Sequence, residues 1–195
     1  MIKYWSAVVG RLAPVAGLAA AVVGAAMLAA LLVCDEAPWT SALTQSALAG
    51  VTCGVRFTLV VSIPDTVTAV RTAAHYGLSL EPAAARLPGI RRVAADTPGA
   101  TAFQLADSTL YAIKKARTSV ISEVLKLGHG MAVLICKSPY GPEIHVSMDF
   151  TVTEGRTLAV LTCRPTTSWK RLDGGASWAI QGTRERHVRA ALKQH

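Results

Sequence analysis

The stretch from Leu12 to Cys34 constrains the fold of this chain most strongly. It runs for 23 residues without an ionisable side chain other than the terminal thiol. A helix of that length is long enough to cross the hydrocarbon core of a bilayer. A fully buried core helix would need a protein large enough to surround it, which a chain of 195 residues does not obviously supply. The sequence therefore predicts a transmembrane helix at about residues 12–34.

A cleaved signal peptide is the main alternative for this segment. Lys3 and Arg11 form a basic N-terminal region, and Leu31–Cys34 loosely resembles a lipoprotein cleavage site. However, the apolar run is about twice as long as the usual signal-peptide core. Val33 is also a poor residue to precede a lipidated cysteine. We therefore expect the anchor to remain in the mature protein.

The charges that flank the run predict how the protein is oriented. Lys3 and Arg11 precede the run, whereas Asp35 and Glu36 follow it directly. Because basic flanks stay on the cytoplasmic or matrix side, we expect the N-terminus there. As a single-pass protein, the chain would then place its C-terminal domain on the opposite side of the membrane.

Small side chains recur along the predicted span. One stripe contains Ala16, Ala20 and Gly24, and the next contains Gly17 and Ala21. Spacing of this kind lets a second helix approach closely, so these residues are candidates for packing against a partner helix. The abundance of alanine in the chain would produce the same pattern without a partner.

The 161 residues after the run are enough for one domain and too few for two well-cored ones. We divide the chain into an anchor region at 1–34, a helix-strand-helix with an irregular connection at 35–106, a helix with a meander at 107–168, and a basic tail at 169–195. In the second region, the apolar and β-branched residues predict a strand over 55–63 between helices at 39–48 and from Asp65.

The third region carries the clearest pattern. A helix capped by Asp107 or Ser108 and ended by Gly128 would place apolar residues at spacings of three and four. Three strands are expected at 131–137, 143–153 and 156–163, and the middle strand alternates apolar and polar residues. The predicted fold is therefore α+β, with an antiparallel β-meander packed on a long amphipathic helix. The tail would add a helix over 183–193.

No catalytic or metal-binding motif is visible in the sequence, and the five histidines are scattered. We therefore expect no enzyme activity, no cofactor and no metal. The net charge of +8 raises the possibility of nucleic acid, but aromatic residues form 6% of the chain and none lies within a basic cluster. An acidic partner or anionic lipid fits a tethered basic domain better. The candidate contact residues, which could equally be a solvated face, are Lys114, Lys115, Arg117, Arg184, Arg186 and Arg189.

The order of these features resembles a known family. The anchor, the segment Ser108–Tyr111, the glycine end at Leu127–Gly128 and the segment His145–Val152 followed by Gly155 are similar to the mitochondrial inner-membrane family that includes the presequence-translocase regulator and a cytochrome oxidase assembly factor. The likeness covers residues 107–164 and the anchor. It implies the mitochondrial inner membrane and a larger complex, such as one of the respiratory chain.

Three functional hypotheses follow. The first is a non-enzymatic, single-pass accessory or assembly subunit that contacts the transmembrane helices and soluble parts of such a complex. The second is a component of the bacterial envelope, such as a type IV secretion assembly factor with a periplasmic domain of helix and sheet. The third is a membrane-tethered enzyme whose site residues are too dispersed to recognise.

The predicted strand register also bears on the cysteines. It places Cys136 opposite His145 and Cys163 opposite Val146, on opposite faces of the sheet. Strands that flank a central strand are about 10 Å apart, which exceeds the roughly 7 Å that a disulfide allows between Cα atoms. We therefore expect Cys163 to be a buried thiol and Cys136 to be free or paired elsewhere, with Cys53 as the candidate.

Overall fold

A computed structural model describes residues 1–34, 38–116, 120–167 and 172–194. Within them the chain is α+β, as the sequence predicts, with a five-stranded antiparallel sheet. Two compact units are present: a hairpin unit, Ile2–Thr66, and a sheet unit, Val67–His195. The elements are α1 Ile2–Val33, α2 Trp39–His75, a 3₁₀ turn Pro82–Ala85, β1 Arg91–Asp96, α3 Ala102–Ala116, β2 Ile121–Gly128, β3 Met131–Cys136, β4 Ile144–Thr153, β5 Arg156–Pro165 and α4 Ala176–Leu192.

Helix α2 corrects the helix-strand-helix predicted for the second region. It runs unbroken from Trp39 to His75, so the expected strand at 55–63 is helical and Pro64 lies inside the helix. The β-branched residues of that segment favour strands only weakly, because strand propensity depends on packing context. The boundary between the two units falls after Thr66, within α2, and not at residue 34.

Both α1 and α2 are long and apolar enough to cross a membrane. They contain 32 and 37 residues, and most of their side chains in the apolar windows are exposed on the isolated chain. A lipid-facing helix exposes such side chains, whereas a core helix of a soluble protein buries them. The described residues therefore contain two candidate spans, where the sequence predicts one.

The sheet unit places two helices on one face of the sheet. The strand order is β1-β5-β4-β3-β2, and every neighbouring pair is antiparallel. Helix α3 joins the two edge strands, and α4 follows β5. Both helices pack on the buried face, whose core contains Leu134, Val146, Met148 and Leu161. The predicted alternation of β4 is confirmed, because Ile144, Val146, Met148 and Phe150 are buried and the polar residues between them face the other way.

The long helix predicted at 107–127 is instead a shorter helix followed by a strand. Helix α3 begins at Ala102 with a capping box. The Gln104 backbone N–H donates to the Thr101 hydroxyl at 3.3 Å, and the Thr101 backbone N–H donates to the Gln104 side-chain oxygen at 3.0 Å. The segment Ile121–Gly128 is the edge strand β2.

Two register shifts in β2 explain why its pattern looks helical. They lie between Ile121 and Glu123 and between Val124 and Lys126. Each shift inserts one residue, so the residues paired with the core positions of β3 are Ile121, Val124 and Leu127. Their spacing of three is the spacing that a helix would give.

The register of the meander is partly as predicted. Cys163 pairs with Val146, which confirms the second turn, where Glu154 and Gly155 both have positive φ. Cys136 pairs with Ile144 and not with His145. The connection between β3 and β4 that this pair closes is therefore one residue shorter than the predicted register requires. Both cysteines therefore point into the core, and the prediction that they face opposite ways is wrong. Cys34, Cys53, Cys136 and Cys163 are all free thiols.

Candidate functional site

The two helices of the hairpin unit meet along a seam of small residues. A Cβ added to Gly50 would lie 2.6 Å from the Ala20 carbonyl oxygen, and one added to Gly54 would lie 3.2 Å from the Ala20 Cβ. A Cβ on Gly24 would lie 3.3 Å from the Ser46 carbonyl oxygen. The backbones are therefore close enough that glycine is required at Gly50. Close approach of this kind is how helices associate within lipid, where no hydrophobic force drives them together.

The seam continues toward the N-terminus with polar contacts. The Tyr4 hydroxyl donates to the Asp65 carboxylate at 2.8 Å, and the Trp5 indole N–H donates to the Ser62 hydroxyl at 3.2 Å. Tyr4 is 1% exposed. These hydrogen bonds fix the register of α1 on α2 at the end of the hairpin that is remote from the connecting loop.

The small residues predicted to pack against a partner divide between two faces. Ala16, Ala20 and Gly24 lie against α2 of the same chain. Ala21 is exposed, and a Cβ on Gly17 would have no neighbour within 4 Å. The first stripe therefore has an intramolecular partner, which the sequence-based division into one span and one domain did not anticipate. Packing of the second stripe against another helix stays a prediction.

The basic residues predicted to form a partner or lipid surface also divide. Lys114 and Lys115 are exposed at the end of α3, and Arg186 and Arg189 are exposed on α4. Arg189 pairs with Glu185 at 2.7 Å. Arg117 lies outside the described residues. Arg184 does not belong to any surface, because its side chain is completely buried.

Arg184 is the largest fully buried side chain of the described residues. It lies in the core-facing row of α4 formed at intervals of four by Ala176, Ile180, Arg184, Val188 and Leu192. Its Nη2 donates to the Cys136 Sγ at 3.3 Å, which ties α4 to β3. The interval of four was the sequence signal that could have shown the burial of Arg184, and the basic composition of the tail concealed it.

Burial is the main cause of the pKa shifts around Arg184, and its guanidinium contributes to each of them. Burial raises the pKa of the Tyr76 hydroxyl, and Arg184 opposes that rise. Burial also raises the pKa of the Cys163 thiol, with a further contribution from Cys136. Burial lowers the pKa of His187, Arg184 lowers it further, and the hydrogen bond with the Thr183 carbonyl opposes both effects. The folded protein therefore resists protonation of His187.

The depressed pKa of His187 predicts a loss of stability in acid. Below the ordinary histidine pKa of about 6.5, the unfolded chain binds a proton that the folded chain resists. Stability that is present above that pH should therefore fall as the pH falls toward the folded-state pKa. We expect the midpoint of thermal unfolding, compared at pH 7.5 and pH 5.5 in one detergent, to drop less in His187→Gln than in the parent protein. Equal drops would contradict this assignment.

The open face of the sheet carries polar residues of β4. The Ser147 hydroxyl donates to the Asp149 carboxylate at 3.0 Å, and His145 lies on the same face. In the part of the chain that the structure describes, no group of three or more His, Cys, Asp or Glu residues is placed to hold a metal ion. These half-buried side chains pair with Met131, Val133 and Ile135 of β3 on one side. On the other side they pair with Val160, Thr162 and Arg164 of β5.

The described residues define an α+β protein with two apolar, potentially membrane-spanning helices at its N-terminal end. Compared with protein families, with curated proteins and with solved structures, the chain matches none.

Proposed function

We propose that this protein is a non-enzymatic accessory or assembly subunit of an inner-membrane complex, anchored by a hairpin unit that crosses the bilayer twice. The observation that supports the two-span anchor is the glycine seam between α1 and α2, with Gly50 against Ala20. It pairs two long apolar helices by close backbone packing. That is the mode of association used in lipid.

The flanking residues support two crossings. Lys3 and Arg11 lie near the start of α1 and Arg71 lies near the end of α2, whereas Asp35 and Glu36 lie between the helices. Positive flanks on both outer ends and an acidic connection favour a topology with both ends on the cytoplasmic or matrix side. A second crossing returns the chain to the side on which it began. The C-terminal domain would then share the side of the N-terminus, which differs from the single-pass expectation.

Aromatic residues fit the same arrangement. Trp39 opens α2 beside the connecting loop and is 58% exposed, and Trp5 lies near the other end of the hairpin and is 38% exposed. Tryptophan is enriched at both interfaces of a membrane, where its ring lies among the headgroups. The two indoles would therefore mark the two surfaces of the bilayer.

The cysteines support the cytoplasmic or matrix placement of the domain. Cys136 and Cys163 are free, buried thiols of the sheet unit. Reduced thiols are usual in the cytoplasm and matrix, while exported domains of this size frequently form disulfides.

The setting of the proposal comes from the family resemblance. It favours the mitochondrial inner membrane and a respiratory-chain complex over a bacterial membrane. The partners would be transmembrane helices and soluble parts of that complex. Lys114, Lys115 and Arg186 are exposed and would face acidic protein surfaces or anionic lipid. We propose no nucleic acid and no cofactor as partners.

Cys34 provides a native test of topology. It is exposed in the connection between the helices, whereas Cys136 and Cys163 are inaccessible. In sealed vesicles of known orientation, a membrane-impermeant maleimide should label Cys34 from the side opposite to a protease-accessible C-terminal tag. Cys34→Ser provides the control. A single-pass protein would expose Cys34 and the tag on the same side, which would overturn the two-span arrangement.

The subunit role requires a second measurement. After mild detergent extraction, we expect the protein to migrate with a complex much larger than its own 20.5 kDa on a native gel. A monodisperse particle of one or two copies would contradict a role as a subunit, even if the topology is as proposed.

A further inference from the structure

One face of α2 carries a groove with polar side chains along a helix that the proposed function places in lipid. The groove is lined by residues at helical spacing, among them Gln45, Ala49, Thr52, Cys53 and Arg56. Gln45, Thr52 and Arg56 are exposed on the isolated chain. These residues follow one another at intervals of seven and four, so they occupy one stripe of the helix.

The seam fixes the depth of this stripe in the membrane. Ser46 lies opposite Gly24 and Gly54 lies opposite Ala16. Gln45 is therefore level with about Ala25. Ala25 lies two residues from the centre of the apolar run, so Gln45 is about 3 Å from that centre along the helix axis. Arg56 is level with Pro14, near the end of the run, where its guanidinium can extend to the headgroups. Gln45 is thus the polar group of this stripe at mid-membrane depth.

The hydrogen bonding of Gln45 is incomplete within the described residues. Its Nε2 donates to the Ser41 hydroxyl at 3.2 Å, and no donor reaches its carbonyl oxygen. Thr44, its neighbour on another face, is satisfied within the helix because its hydroxyl donates to the Thr40 carbonyl at 2.9 Å. In lipid, water cannot complete the hydrogen bonding of an amide, so a lipid-facing Gln45 is costly.

We propose that the occupant of this groove is α2 of a second copy of this chain, in the same orientation. In a parallel pair related by a two-fold axis along the membrane normal, each residue meets its own counterpart at the same depth. A glutamine amide carries both a donor and an acceptor, so two Gln45 side chains complete each other's hydrogen bonds. Ala49, one turn further on, has no side chain beyond Cβ and allows the helices to approach.

The charge distribution is compatible with a second copy at the centre of the membrane. The stripe is uncharged from Gln45 to Thr52, so pairing it with itself buries no charge. The one charge of the stripe, Arg56, lies at headgroup depth, where the two guanidinium groups of a dimer can separate into water. This inference rests on the proposed membrane insertion of α2.

The test uses the full-length chain with Cys34 and Cys53 replaced by serine and a single new cysteine in α2. Ala49→Cys should form an oxidative cross-link between two copies in native membranes. Ala47→Cys, exposed on another face at similar depth, should not. Cross-linking at both positions or at neither would overturn the dimer, as would a cross-link at residue 49 to a different protein.

A second measurement tests the role of the amide. Energy transfer between two differently labelled pools, followed as the protein is diluted in lipid, gives the dimerisation constant. Interhelical hydrogen bonds in lipid contribute about 0.6–2 kcal/mol, so Gln45→Leu should weaken the dimer roughly 3- to 30-fold. Gln45→Asn should restore part of the affinity, and Thr44→Val is the matched control that should leave it unchanged. An unchanged constant for Gln45→Leu would overturn the inference.

Labelling of Cys34 in otherwise native protein distinguishes a failure of the proposed topology from a failure of the dimer inference alone. If Cys34 is labelled as proposed and no dimer forms, the two-span anchor stands and the dimer inference fails. If Cys34 and the C-terminal tag lie on the same side, the proposed topology itself fails and the dimer inference fails with it.

Discussion

Alanine at Gly50 should loosen the helical hairpin, although alanine is the better helix former. The new Cβ would lie 2.6 Å from the Ala20 carbonyl oxygen, a backbone atom that cannot rotate away. Overpacking of this kind costs about 1–3 kcal/mol, against a gain of about 1 kcal/mol in helix propensity. We expect a lower midpoint of thermal unfolding, followed by circular dichroism in one detergent. Gly50→Leu should give a larger fall.

Gly17→Ala is the matched control for this substitution. It lies in α1, in the same apolar environment, and its added Cβ would have no neighbour within 4 Å. It gains the same helix propensity without the contact, so it should be neutral or stabilising. The difference between the two variants isolates the seam. If Gly50→Ala behaves like Gly17→Ala, the helices do not pack as closely as the structure shows.

The second large effect is expected at Arg184. Truncation to alanine empties the space of the largest fully buried side chain and removes the hydrogen bond to Cys136. Large-to-small changes in a core cost about 2–5 kcal/mol. We expect Arg184→Ala to lower the unfolding midpoint of the sheet unit strongly and to reduce the yield of folded protein.

Two further variants show what Arg184 contributes. Arg186→Ala, on an exposed position of the same helix, should change stability by no more than about 0.5 kcal/mol. Arg184→Met keeps most of the volume without the charge and should recover much of the loss, because a buried charge carries a desolvation cost. A mild effect of Arg184→Ala, equal to that of Arg186→Ala, would contradict its burial.

The sequence predicted the parts of the fold in which local pattern and tertiary context agree. Helix α1 followed from an uninterrupted apolar run, and the alternation of β4 followed from an uninterrupted period of two. Helical and strand patterns together gave the α+β class. The pairing of Cys163 with Val146 followed from a two-residue turn that permits one register. In these segments, each residue faces the side that its chemistry prefers.

The errors arose in two segments whose local pattern suggested the wrong element. Two register shifts in β2 gave a strand the spacing of a helix. In α2, the β-branched residues from Val55 to Ile63 suggested a strand, although the segment continues a helix that pairs with α1. Neither pattern reveals the element that the segment packs against. That element, β3 for β2 and α1 for α2, decides the structure in both cases.

The candidate site was predicted in part for the same reason. The stripe of Ala16, Ala20 and Gly24 was visible in the sequence, but its partner lies in the segment that was assigned to a strand. Arg184 was assigned to a surface because arginine is usually exposed. Only the apolar residues four positions before and after it, Ile180 and Val188, indicate that its face of α4 is buried.

The shortness of the connection between the two helices has a consequence for biogenesis. Helix α1 ends at Val33 and α2 begins at Trp39, so five residues separate them. If the hairpin unit inserts as a pair, only this connection, with Asp35 and Glu36, must be carried across the bilayer. The sheet unit would then fold on the side where the ribosome or import machinery releases it. The protein would need no export channel for a folded or unfolded domain, and its late-synthesised strands would assemble after the anchor is already in place.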